Sequence, residues 1–71
     1  MKAYCNKEEI ERLLDGRPLS YLVAEINKIG IYISYNSMAH IIMGRNSCKV
    51  DYALAMAKIL NTKVEKIFYL K

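Results

Sequence analysis

Cysteine and histidine are scarce in this chain, and both scarcities exclude chemistry. Only Cys5 and Cys48 are present, with no Cys-x-x-Cys pair, and His40 is the single histidine that could join them. No zinc site is expected from that inventory, and one pair of thiols is not the multi-bridge framework that staples small secreted domains. Two free thiols in a reducing compartment are the expectation. Long apolar runs are also missing: none approaches the roughly 20 residues of a membrane span. The first residues carry no signal-peptide core, so a cytoplasmic protein with no membrane partner is expected. There is no glycine-rich phosphate loop. The one acidic cluster, Glu8, Glu9 and Glu11, is the charge run of a helix N-terminus and not a catalytic carboxylate pair. Cys48 lacks a His–Asp partner set in the sequence. These absences argue against an enzyme, a cofactor, a bound metal and a small-molecule substrate. Proline occurs once and glycine three times, with no linker, repeat or low-complexity stretch, so nothing divides residues 1–71 into more than one domain.

What is present describes a small helical domain. The chain has 71 residues, 54% hydrophobic and 25% charged, which is too apolar for intrinsic disorder. A chain this short buries only about 60% of its unfolded surface, so its core is thin. The spacing predicts five short helices. Asn6 followed by Glu9 resembles a capping box, and Ile10, Leu13 and Leu14 follow as an apolar stripe that Gly16 stops. Pro18 opens a second helix with Leu19, Leu22, Val23 and Ile26 inward, ending at Gly30. Ile31, Tyr32 and Ile33 form an extended connection. Ser34 caps a third helix with Met38 and Ile41 inward, closed by Gly44. Ser47 is expected to cap a fourth, with Val50, Leu54, Ala57 and Leu60 as its stripe and Ala53 and Met56 alongside, stopped by Asn61. Thr62 to Glu65 has capping-box spacing and opens a fifth helix carrying Val64, Ile67 and Phe68. The expected fold class is all-α, a compact bundle of five short helices.

Charge is distributed unevenly. The net charge is +4, but residues 1–25 hold four basic and five acidic side chains, while residues 45–71 hold six basic and two acidic. On that tally an anionic partner is expected to bind near Arg45 and not at the first helix.

One run of residues carries more specific information. Ile33-Ser34-Tyr35-Asn36-Ser37-Met38-Ala39-His40-Ile41-Ile42-Met43-Gly44 resembles the recognition helix of the Cro and lambda-repressor family, in which apolar residues and a closing glycine recur at these positions. Ala57-Lys58-Ile59-Leu60 and Ile67-Phe68 fall at the family's offsets from Gly44 without a gap, and Val23-Ala24-Glu25 is similar to its Leu-Ala-Glu. The resemblance spans about residues 7–68. It implies a helix-turn-helix domain with a lambda repressor-like fold and a recognition helix at about 35–43. The activity it implies is sequence-specific transcriptional regulation in a phage lytic/lysogenic switch, from a bacterial or phage-encoded protein in the host cytoplasm. The implied partner is a double-stranded DNA operator, bound as a homodimer.

In such a site the N-terminal half of a helix reaches base edges in the major groove, and an asparagine can bond adenine N6 and N7 together. Asn36 is the amide so placed. The resemblance adds Ser34, Tyr35, Ser37 and His40 on the same helix, Ser20 as a backbone contact, and Arg45, Asn46 and Lys49 as a phosphate-clamping loop. Phosphate contacts set affinity and register, while base contacts set sequence choice.

Departures from the family pattern support a rival reading. The interval from Val23 to Ser34 is longer than the family's by about four residues, one helical turn. Residues 29–33 therefore either lengthen the turn or extend the second helix. The recognition segment holds no Lys or Arg. Ile42 and Met43 stand where polar groups are usual, and Cys48 replaces a frequent proline. An exposed apolar patch at that helix end would suit a protein interface. The alternative is an antirepressor that binds a phage repressor through Ala39, His40, Ile42, Met43 and Arg45. Under that reading Ile42 is exposed, and packing of Ile42 into the domain would count against it.

Overall fold

The computed structural model describes residues 1–71. A strand, β1 (Ala3–Cys5), leads into α1 (Lys7–Leu14), α2 (Leu19–Lys28), α3 (Tyr35–Ile42), α4 (Val50–Ile59) and a single-turn α5 (Val64–Ile67), and a second strand, β2 (Phe68–Leu70), ends the fold. β1 and β2 form a two-stranded antiparallel sheet in which Ala3 faces Leu70, Tyr4 faces Tyr69 and Cys5 faces Phe68. The ladder continues outward through a reciprocal pair of hydrogen bonds between Lys2 and Lys71, at 3.1 and 3.0 Å.

The chain is therefore not all-α, and the sheet corrects that expectation. Each strand is only three residues long, too short to show the period-2 alternation by which strands are recognised. Each finds its partner at the other end of the chain. Phe68, expected in the last helix, is the first residue of β2. Its backbone is extended while its ring stays in the core.

Local signals set most helix ends. The Asn6 side chain accepts the Glu9 N–H at 3.4 Å, and the Ser34 hydroxyl accepts the Ser37 N–H at 3.2 Å. Gly30 has φ +94°, which lets the Gly30 and Ile31 N–H groups bond back to the carbonyls of Asn27 and Ile26, the Schellman arrangement. α2 thus stops at Lys28, and residues 29–33 form a connection outside the helix. The Asn27 side chain holds that connection by accepting the Ile33 N–H at 3.2 Å and donating to the Ile33 carbonyl at 3.4 Å. This two-way clamp sets where α3 leaves α2.

Two expected helix starts are shifted. Ser47 does not cap α4: the Cys48 N–H donates to the Ala3 carbonyl at 2.8 Å, which holds the loop along β1, and the helix begins after Lys49. Thr62 does not cap α5: it belongs to the end of α4, where its N–H donates to the Ala57 carbonyl at 2.9 Å. Lys63 precedes the first turn with no side-chain cap.

The core is one cluster of 16 apolar residues, with Ile10, Leu22, Ile26, Met38, Met56 and Ile67 fully enclosed and no buried polar side chain. α2 packs on both α3 and α4, α1 on α5, and α3 on β1. α4 departs from the expected stripe. It buries Ala53, Ala55, Met56 and Ala57 while Val50 and Leu54 face outward. No helix is long and apolar enough to cross a membrane.

Candidate nucleic-acid interface

α3 divides sharply. Met38, Ile41 and Ile42 are buried, while Tyr35, Asn36, Ser37 and His40 are exposed. Asn36, Ser37 and His40 stand at i, i+1 and i+4 and so share one side of the helix. Met38, Ile41 and Ile42 meet the core because α3 packs against both α2 and β1. The polar side chains are left on the remaining surface.

The loop after α3 is folded back onto it. Gly44 has φ +79°, and the Gly44 N–H bonds the Ile41 carbonyl at 3.1 Å. The Arg45 N–H then bonds the His40 carbonyl at 2.9 Å, and the Asn46 N–H approaches the same oxygen at 3.4 Å. This left-handed stop places Arg45 and Asn46 at the end of the Asn36–His40 side. Arg45 and Lys49 are exposed and form no ion pair within the chain. The next cation upstream, Lys28, is already paired with Glu25 at 2.9 Å. No acidic residue occurs between Glu25 and Asp51, so the α3 surface and its loop hold no fixed negative charge of their own.

The expected site residues divide as follows. Asn36, Ser37 and His40 share one side of α3, the backbone of Arg45 and Asn46 is bonded to the His40 carbonyl at its far end, and Lys49 follows at the end of the same loop. Ser20 is exposed in the first turn of α2, with no hydrogen bond linking it to α3. Ser34 is primarily a helix cap, and its hydroxyl also bonds that of Ser37 at 3.0 Å. Tyr35 lies to one side, where it lines a cavity of about 340 Å³ between α1, the start of α2 and α3, together with Ala39, Ile42 and Met43. Ile42 is only 7% exposed and belongs to the core. Its exposure, on which the apolar-patch reading depended, is thereby corrected: it is enclosed at the last turn of α3, the helix that packs on α2 and β1. Met43 remains 53% exposed.

Arg17 was not singled out by its charge and lies on the cavity side of α3, apart from the Asn36–His40 row. It lines the same cavity as Tyr35 and Met43. Its guanidinium donates to the Leu14 and Leu13 carbonyls at 2.8 and 3.0 Å and lies 4.6 Å from the centre of the Tyr21 ring. Counting charges by segment hides it among the acids of α1. The available signal was its position between Gly16 and Pro18, where a helix end turns into the next helix start.

Both thiols are free. Burial, with a smaller contribution from Cys48, pushes the Cys5 thiol up to about 12. Burial, then the Asp51 carboxylate, pushes Cys48 up to about 11. Both are neutral near pH 7 and are poor nucleophiles there. No group of three or more His, Cys, Asp or Glu side chains is gathered in a way that could hold a metal ion.

No family model, curated protein or solved structure matches this chain.

Proposed function

We propose that this protein is a sequence-specific DNA-binding transcriptional regulator of Cro/repressor type, used in a phage lytic/lysogenic switch and acting in the bacterial cytoplasm. α3 enters the major groove as the second helix of a helix-turn-helix. The observation that carries the reading is the exposed row Asn36, Ser37 and His40, continued by Arg45 and Asn46, on a segment with no acidic residue. Asn36 reads a base edge, Ser37 and His40 flank it, and Arg45 and Lys49 hold phosphates. Arg17 and Ser20 meet the backbone on the other side. A reader this small binds as a homodimer, on half-sites about one helical turn apart.

The test is a mobility-shift titration of the protein against duplex from its own upstream region and a scrambled duplex, at low and moderate salt. The expected result is binding to both at low salt, with preference for the upstream duplex as salt rises. Asn36→Ala relaxes selectivity at one base pair by about 1–3 kcal/mol, and Lys49→Ala weakens all sequences alike and lowers the salt slope by about one. Absence of any complex at low salt refutes the reading.

A second reading keeps one supporting observation. Tyr35 and Met43, each 53% exposed, border the apolar cavity beside α3, which suits an antirepressor docking on a phage repressor. With Ile42 in the core, Met43→Lys is the variant that separates the two. It abolishes capture of a phage repressor if the protein interface is the function, and leaves DNA binding intact or strengthened if it is not.

A further inference from the structure

The outer side of α4 carries a second surface that shares no residue with the one around α3. α4 buries three alanines and Met56 while leaving Val50 74% and Leu54 58% exposed. A monomer in isolation gains more by doing the reverse, because the burial free energy of an apolar side chain grows with its area. The lengthened 29–33 connection adds to the same side. Ile29, 48% exposed, and half-buried Ile31 border a shallow cavity of about 300 Å³ with Leu54 and Ala55. The Tyr52 hydroxyl of α4 donates to the Tyr32 carbonyl at 3.5 Å, which ties the connection to the helix. The cavity is also lined by two opposite charges, Asp51 in the first turn of α4 and Lys58 in its last. Neither forms an ion pair within the chain.

We propose that this surface is a homodimer interface, with α4 of one copy lying antiparallel on α4 of a second copy. A two-fold interface must be its own complement, and this one is. Antiparallel packing brings Asp51 to Lys58 of the second copy and Lys58 to its Asp51, with Leu54 near the axis and Ile29 at the flank. A parallel arrangement would set like charges side by side and align the helix dipoles unfavourably. The lengthened connection then supplies apolar surface to the interface. This assignment names the surface that makes the homodimer on which the DNA reading rests, and because its tests contain no DNA its failure is distinguishable from failure of that reading.

The experiment is sedimentation velocity of the full chain across a concentration series, with far-ultraviolet circular dichroism of every variant as a check on the fold. The wild type sediments at about twice 8.2 kDa at high micromolar concentration. Leu54→Glu sediments as a folded monomer. Asp51→Lys weakens dimerisation by about tenfold or more, and the double exchange Asp51→Lys with Lys58→Asp restores it. A wild type that stays monomeric throughout, a dimer that survives Leu54→Glu, or a double exchange no tighter than the single one overturns the proposal. If Leu54→Glu fails to fold, Leu54→Ser replaces it and is read by the same criterion.

Discussion

α3 and α4 lie in one core yet divide their side chains in opposite ways. α3 buries its large residues, Met38, Ile41 and Ile42, and shows water its amide, hydroxyl and imidazole. α4 buries alanine and methionine and shows water a valine and a leucine. The difference teaches that an apolar pattern names the faces that are able to go inside, while packing distance selects among them. α3 has one apolar face, so its orientation has no rival. α4 is apolar around most of its circumference, and its alanines allow close approach to α2, with which it makes the broadest contact between helices.

That comparison is open to direct attack. The largest expected effect is Met38→Ala, which empties a fully enclosed site in α3 and costs about 2–5 kcal/mol in urea unfolding. For a domain this small that is a large part of the total stability. The next is Ala57→Leu in α4, which replaces the small group on the buried face by a large one. The expected loss is about 1–3 kcal/mol through overpacking, and a stabilised variant would show that distance is not what selects the face. A smaller pair contrasts the two helix starts. Ser34→Ala removes the side-chain cap of α3 and costs about 1 kcal/mol, while Lys49→Ser supplies α4 with a cap it lacks and gains up to about 1 kcal/mol. The smallest is Leu54→Ser. Extrapolated to low chain concentration, its unfolding free energy lies within about 0.5 kcal/mol of the wild type, as for an exposed position.

Alkaline titration probes a third region, the sheet and its thiols. Cys5 and Cys48 hold their protons more tightly when folded than at the ordinary value of 9.0. The folded state is favoured by these groups below pH 9, and that contribution is lost as pH rises toward 11 and 12. The thermal midpoint is therefore expected to fall across that window, and to fall less in Cys5→Ala.

Legibility in the sequence followed the range of the interaction. The helices containing Ile10, Leu22, Ile26, Met38 and Ile67 were readable because helical periodicity repeats within a few residues. Asn36, His40 and Arg45 were readable as neighbours for the same reason, since a helix turn and one glycine stop connect them. Arg17 was not, because its place at the cavity that Tyr35 also lines depends on where the turn between α1 and α2 sits relative to α3. The burial of Ile42 was not readable either, because a helix pattern does not show how far the packing of α3 on α2 and β1 reaches along its last turn.

The sequence by itself determined where α1, α2 and α3 begin or end. Asn6, Ser34, Gly30 and Gly44 act on backbone groups within five residues of themselves, so those bonds form wherever the helix lies. Only the tertiary structure decided that the two chain ends pair as strands, that the Cys48 amide bonds Ala3 and delays α4, and that Val50 and Leu54 face out. Each of those outcomes joins segments far apart in the chain. Their local preferences are weak, and the free energy that settles them comes from what the assembled core can and cannot enclose.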